Sequence, residues 1–316
     1  MFNTKLLPIV EAVREAAKMT LRVQDAVETH KSDRSPVTVA DYAVQVVITE
    51  ALKRLEPGKP LIAEEDSQIL KSHEKARAQV LHHASSVLES LNEETMMELI
   101  NYSSREVSSE FWTLDPVDGT KGFLRGANYA TALGFISENK VRSGILACPK
   151  LDMLGCSGVI LVANQGEGCW YQDLSAEKDW VRLRVSPQTD PTQTRILHSY
   201  EAAHTNLPEI ETLRQSMNIS VESVGLDSQA KYALLAAGLG ELIVRLPNAK
   251  SPDYREKIWD HAAGLICLEE AGGQITDMFG ETLDFSYGSA LEKNQGIIAS
   301  NSALHPPALK ALNRSC

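Results

Sequence analysis

Several features that would place this chain quickly are missing. No run of residues is long and apolar enough to span a bilayer, which takes about 20 apolar residues in succession. Met1-Phe2-Asn3-Thr4-Lys5 leads into an amphipathic pattern interrupted by Glu11, Arg14, Glu15 and Lys18, without the unbroken apolar core of a secretory signal. The five cysteines (Cys148, Cys156, Cys169, Cys267, Cys316) are odd in number, and no two form a Cys-x-x-Cys pair. That fits reduced thiols better than a disulfide framework or a thiolate zinc site, so a cytoplasmic location is expected. An excess of positive charge is lacking too: the formal net charge is -11, which argues against a nucleic-acid polymer or an anionic membrane as partner. A small anionic substrate stays compatible if bound cations and a few placed Lys or Arg reverse the local field. There is no internal repeat, no low-complexity linker and no Gly-rich nucleotide-phosphate loop of either common type.

What is present is ordinary in bulk, with 43% hydrophobic and 23% charged residues over 316 positions, enough for one large domain or two sub-domains. Apolar spacing predicts an amphipathic helix from Thr4 to Glu28 and a second from Val39 to Leu55, stopped by Pro57-Gly58. Leu61-Ile62-Ala63 reads as a short strand running into Glu64-Glu65-Asp66. From Ser67 to Asn101 the pattern is polar and helical, an insert of the kind that covers a site. Tyr129 to Ile136 and Val141 to Cys148 read as a hairpin, followed by strands at Gly158 to Val162, Gly168 to Gln172 and Val181 to Val185. Strands then alternate with helices: Arg195 to Ser199, Val221 to Val224, Glu241 to Arg245, Gly273 to Thr276 and Gly296 to Ala299, against helices at Leu207 to Met217, Ser228 to Ala237, Asp260 to Ala271 and Ser302 to Asn313. The change of pattern predicts an α+β half, residues 1–150, joined to an α/β half, residues 151–316.

The stretch with most chemical content is Glu110-Phe-Trp-Thr-Leu-Asp115-Pro-Val-Asp118-Gly-Thr120-Lys121. A strand-like run ends in two aspartates, and Gly119-Thr120 opens a turn toward a helix. Pro116 biases the preceding residues to extended backbone, and Gly119 admits a positive φ. A solvated Pro-Asp-Gly turn explains this segment alone as well as a cation and phosphate site does. Three further acids stand at element ends: Asp41 and Asp260 where helices should begin, and Glu64 at a strand end. Capping explains Thr38-x-x-Asp41 and Asp260 one at a time, and a solvated acidic loop explains Glu64. No single one of these explains all five. Together, Glu64, Asp115, the Val117 carbonyl, Asp118 and Asp260 supply the oxygen set that magnesium prefers. Asp41 with the Thr120 hydroxyl could orient and deprotonate a water, and the N–H groups of Gly119, Thr120 and Lys121 could hold phosphate oxygens. The chemistry would be metal-assisted phosphomonoester hydrolysis without a covalent enzyme intermediate.

Trp-Thr-Leu-Asp115-Pro-Val-Asp118-Gly-Thr120 and Trp259-Asp260-x-Ala-Ala-Gly264, with Ala63-Glu64-Glu65 and Val39-Ala40-Asp41-Tyr42, resemble the motifs of the inositol monophosphatase superfamily. Within it, Gly119-Thr-Lys-Gly-Phe-Leu-Arg125-Gly126, Leu226-Asp227-Ser228-Gln-Ala-Lys231-Tyr232, Glu241-Leu-Ile-Val-Arg245-Leu-Pro247 and Tyr254-Arg-Glu-Lys-Ile-Trp259-Asp260 look most like the 3′(2′),5′-bisphosphate nucleotidases. The resemblance implies the layered αβαβα sugar-phosphatase fold and hydrolysis of 3′-phosphoadenosine 5′-phosphate (PAP) to AMP and phosphate, with two or three Mg²⁺ per site and inhibition by Li⁺. It puts metal ligands at Glu64, Asp115, Val117, Asp118 and Asp260, and the water-activating pair at Asp41 and Thr120. Substrate contacts fall on Gly119, Thr120, His204, Ser228, Lys231, Arg245 and Asp260. The expected partner is a small nucleotide bisphosphate, with no obligate protein partner evident. An inositol polyphosphate 1-phosphatase or monophosphatase needs the same acids, and a non-catalytic sensor of nucleotide or cation is the alternative of another class.

Overall fold

The computed structural model of the chain describes residues 4–23, 29–30, 36–103, 108–200, 207–247 and 253–312. The first helix, α1 (Leu7–Thr20), buries Ile9, Val10, Val13, Ala16 and Ala17 along one face. It ends short of the expected Glu28. The Thr20 hydroxyl bonds the Ala17 carbonyl at 2.6 Å and the Tyr129 hydroxyl at 2.7 Å, and Leu21 is already 42% exposed, so the apolar stripe has left the core. A ladder of two-residue strands, β1 (Thr29–His30) and β2 (Pro36–Val37), leads into α2 (Val39–Leu55). Thr38 caps α2: its hydroxyl accepts from the Ala40 N–H, while its own N–H donates to Asp41 Oδ2 at 2.8 Å. A reciprocal cap of this kind fixes where the helix starts, and with it where Asp41 lies.

β3 (Leu61–Ala63) comes next, and then three helices, α3 (Gln68–Ser72), α4 (Glu74–Ala84) and α5 (Glu93–Ile100). This is the insert expected to cover a site. Its apolar face is instead taken up by α2, with Ala76, Val80, Ala84, Met96, Leu99 and Ile100 in the same core cluster as Val44, Val47 and Ile48. A polar sequence with a thin apolar stripe builds an extra helical layer as readily as a cover.

The chain then forms β4 (Glu110–Asp118), the short α6 (Thr120–Leu124), β5 (Ala130–Ser137), β6 (Lys140–Met153), β7 (Cys156–Asn164), β8 (Gly168–Asp173) and β9 (Val181–Arg182). Strands β3 to β9 make one seven-stranded sheet in sequence order, parallel between β3 and β4 and antiparallel thereafter. Both faces are covered, so β7 is apolar on both: Val159 and Leu161 enter one core cluster, Ile160 and Val162 the other.

The division expected at 150/151 therefore falls inside β6. The antiparallel meander continues to Arg182 in the same sheet, because hairpin-linked strands pair with their predecessor whatever the composition does. Beyond it lie β10 (Ile196–His198), α7 (Leu207–Ser216), β11 (Val224–Gly225), α8 (Ala230–Ala236), β12 (Leu242–Arg245), α9 (Ala262–Glu270), β13 (Gln274–Thr276), β14 (Ile297–Ser300) and α10 (His305–Leu312). These give a five-stranded mixed sheet in the order β11-β10-β12-β14-β13.

The layers follow from which apolar faces share a core. α1 and α2 cover one face of the large sheet; α8 and α9 lie between the two sheets; α7 and α10 close the far face of the small one. This is the αβαβα arrangement expected from the sequence. Its functional consequence is at the strand ends. β10, β11 and β12 run parallel, so their carboxyl ends lie at one edge, where parallel sheets leave a crevice for ligands.

Candidate active site

β4 brings Asp115 and Asp118 up to the loop that follows β11, where Gly119 lies against Ser228. In a regular strand, residues three apart point to opposite faces. Here Asp115 is level with Ala132 and Asp118 with Ala130, three steps on β4 against two on β5. The extra residue is a bulge, and it turns both carboxylates to the same side. Thr131 Oγ1 fixes the bulge by donating to the Pro116 carbonyl at 2.8 Å.

Gly119 follows with φ +85, and a Cβ there would lie 2.9 Å from Ser228 Cβ. Gly119 thus permits both the left-handed turn into α6 and the approach of the loop bearing Ser228. The Gly119→Ala variant is expected to lose about 1–2 kcal/mol from the backbone conformation alone. Urea unfolding measures that loss, and an unchanged midpoint would contradict it.

Glu64 stands just past β3, held in register by its N–H to the Leu114 carbonyl at 3.1 Å. Asp260 lies not at a helix start but in the turn before α9, two residues ahead of Ala262. Asp41 is fully buried. Its Oδ2 takes the α2 cap, while its Oδ1 faces Thr120 Oγ1 at 3.5 Å; that hydroxyl also donates to the Val117 carbonyl at 3.1 Å.

The acids converge. Burial pushes Asp115 well above the usual carboxylate range, and the charges of Glu64, Asp118, Asp260 and Asp41 push it further. Burial raises Asp260 well above the range too; Arg245 opposes this, and Asp118, Glu256 and Glu64 add to it. Asp118 is raised by burial and held back by Lys231, the Gln229 N–H and Arg245. Asp115 is 2% exposed, and its Oδ1 has no hydrogen-bond partner among the described residues. A buried carboxylate oxygen without a donor, surrounded by four more acids, carries a large desolvation and repulsion cost. A divalent cation removes both, and the donors present, carboxylates and a main-chain carbonyl, are those a hard cation prefers. The site fits a metal.

The second half supplies positive charge. Ser228, with φ +67, accepts from the Ala230 N–H at 3.2 Å. The Gln229 N–H donates to Asp118 Oδ2, tying the β11 loop to β4. Lys231 is 8% exposed and aims its ammonium at the Leu226 and Ser228 carbonyls, at 3.1 and 2.7 Å. Burial pulls it down to about 8, with Asp118 the strongest opposing charge. Arg245, at the end of β12, reaches Asp260 Oδ2 at 3.4 Å and Glu256 at 2.8 and 2.9 Å. His204 lies outside the described residues.

Sequence reasoning passed over Glu256, His261 and Tyr232. Glu256 lies four residues before Asp260 and His261 directly after it, but the contacts that join them to Tyr232 and Arg245 are tertiary and leave no local signal. Arg125 pairs with Asp227 Oδ2 at 2.7 Å, linking α6 to the same β11 loop.

A layered α/β fold with a buried carboxylate cluster at its strand ends suits a metal-dependent phosphatase. The model of the inositol monophosphatase family matches residues 4–315, and the chain belongs to that family, whose enzymes are metal-dependent phosphatases. Among curated proteins it is 38% identical to a 3′(2′),5′-bisphosphate nucleotidase of Dictyostelium discoideum, over 97% of this chain and 95% of the relative. It is 36% identical to a 3′(2′),5′-bisphosphate nucleotidase of Oryza sativa, over 98% and 94%. Among solved structures, the extragenic suppressor protein SuhB of Bartonella henselae superposes with a TM-score of 0.69 at 19% identity, covering 99% of this chain and all of that one; this likeness concerns the fold. Among the described residues, no helix is long and apolar enough to cross a membrane.

Proposed function

We propose that this chain removes the 3′-phosphate of PAP to give AMP and phosphate, and acts also on 3′-phosphoadenylyl sulfate. The observation that carries the reading is the buried Asp115 carboxylate, with one oxygen unpartnered, inside a cluster of four other acids. The names borne by relatives at 38% and 36% identity over nearly the whole chain support the substrate.

The cofactor of this reading is Mg²⁺, two or three ions per site, which Glu64, Asp115, the Val117 carbonyl, Asp118 and Asp260 would hold, with Li⁺ as inhibitor. Bound there, it would supply positive charge against the transferring phosphoryl group and ease deprotonation of the attacking water. Asp41 Oδ1 accepts that proton, and the Thr120 hydroxyl beside it orients the water in line with the ester bond. The new P–O bond forms as the bond to the ribose 3′-oxygen breaks, and that oxygen takes a proton from solvent to leave as the 3′-hydroxyl of AMP. Gly119 and Thr120 hold phosphate oxygens through their N–H groups. Ser228, Lys231 and Arg245 provide the polar contacts and positive charge for the 5′-phosphate and nucleoside, with Asp260 and His204 completing the substrate set. Free buried thiols at Cys148, Cys156, Cys169 and Cys267 agree with the reducing cytoplasm.

Turnover of PAP, inositol 1,4-bisphosphate and inositol 1-phosphate at saturating Mg²⁺ tests the assignment. PAP is expected to have the highest kcat/KM. PAP hydrolysis far below both inositol phosphates would move the substrate to an inositol phosphate, and no turnover of any would make the protein a sensor.

A further inference from the structure

Arg245 stands between two carboxylates and does not treat them alike. Its Nε donates to Glu256 Oε1 at 2.9 Å and its Nη2 pairs with Glu256 Oε2 at 2.8 Å, whereas Asp260 Oδ2 is 3.4 Å from Nη2. Two parallel short contacts make the fork-to-fork geometry in which a guanidinium is held most firmly. Glu256 is itself fixed from behind. His261 Nε2 is 3.1 Å from Glu256 Oε2, and His261 Nδ1 is 2.8 Å from the Tyr232 hydroxyl. With Tyr232 donating to Nδ1 and Nε2–H donating to Glu256, every proton in the chain has an acceptor. Glu256 is 8% exposed, Tyr232 4% and His261 1%, so water does not loosen the arrangement. Gly264 makes room for it: a Cβ there would lie 2.2 Å from Tyr232 Cδ2.

We propose that Glu256, oriented by His261 and Tyr232, is a positioning residue that limits the Arg245 guanidinium to a single long contact with Asp260 and so keeps the rest of the Asp260 carboxylate available to a cation. The inference rests on the reading of Asp260 as a metal ligand. Without Glu256, the nearest carboxylate to Arg245 among the described residues is Asp260, and closing from 3.4 Å to a two-pronged pair would remove that carboxylate from the metal set. Glu256 thereby couples the two halves of the site: it fixes the arginine on the nucleotide side and, through that arginine, limits what reaches the aspartate on the metal side.

Glu256, Asp260 and His261 also present ligand atoms within 4.8 Å of one another, so direct ligation by Glu256 is the competing explanation. Calorimetric titration of the nucleotide-free protein with Mn²⁺ separates the two. The Glu256→Gln variant is expected to bind Mn²⁺ more weakly by about tenfold or more, the usual effect of losing a group that orients a metal ligand. Adding Arg245→Met to Glu256→Gln should restore the wild-type affinity, because no arginine remains to occupy Asp260. Tyr232→Phe, which removes only one hydroxyl, should weaken Mn²⁺ binding in the same direction by a smaller factor. In turnover, Glu256→Gln should raise the Mg²⁺ concentration for half-maximal rate far more than it lowers the rate at saturation.

Unchanged Mn²⁺ affinity in Glu256→Gln overturns the proposal. So does a double variant as weak as the single one, which makes Glu256 a ligand or a fold element. If wild type binds Mn²⁺ but leaves PAP intact, the substrate assignment fails while the positioning claim is still decided by the titrations.

Discussion

Turnover by the Asp41→Asn variant is expected to fall about 10²–10⁴-fold, the range a positioned general base supplies, with Mg²⁺ affinity and fold largely retained. The two oxygens of Asp41 have separate tasks. Oδ2 accepts from the Thr38 N–H and hydroxyl, at 2.8 and 2.7 Å, and caps α2; Oδ1 faces the Thr120 hydroxyl. Asparagine keeps one acceptor oxygen for the cap, so the stability loss should stay within about 1 kcal/mol. What it cannot do is take a proton. The measurement is kcat for PAP beside a thermal melt and a Mn²⁺ titration. Full activity would place the base elsewhere, and loss of metal binding with loss of activity would make Asp41 a ligand.

Asp115→Asn should act in opposite directions on activity and stability. Turnover is expected to drop about a hundred- to thousandfold, since one carboxylate fewer weakens the cation's hold on the transition-state charge by several kcal/mol. The cation-free protein should nonetheless melt at a higher temperature than wild type. The sign follows from linkage. Asp115 and Asp260 have folded values well above the ordinary 3.8. Between 3.8 and those raised values the folded state binds more protons than the unfolded chain, so stability falls as pH rises through that window. Wild type in EDTA is therefore expected to melt lower near about pH 8 than near about pH 5. Mg²⁺ should abolish the difference by binding the ionised form, and Asp115→Asn should shrink it without metal. A wild-type melting temperature that rises with pH in EDTA would contradict the buried cluster.

Much of the site was legible because each acid sat where local rules required a boundary. Leu61-Ile62-Ala63 had to end before Glu64-Glu65-Asp66, Gly119 had to end β4, and Thr38 had to start α2. Capping by Asp41 and its place beside Thr120 are both present, because a carboxylate has two oxygens. The bulge at Pro116-Val117 was not legible as such: it depends on the partner strand, through Ala132 and Ala130. The boundary expected at residue 150 was set ahead of the change from hairpin-linked strands to alternating strands and helices, and that change, after Val185, is where the first sheet ends. Glu256, His261 and Tyr232 were missed because nothing local distinguishes a buried polar chain from a charged helix approach. Its meaning arises only when β12 brings Arg245 beside them. The helices of residues 68–100 showed their period but not their destination, which α2 decides by offering an apolar face.

Anomalous diffraction from crystals of the protein with Mn²⁺ and AMP puts the shared cation site to the most direct test. Peaks are expected at coordination distance from Glu64, Asp115, Asp118 and Asp260 together, with the nucleotide toward Arg245. Saturating Mn²⁺ that leaves those four carboxylates without a peak among them would refute the account.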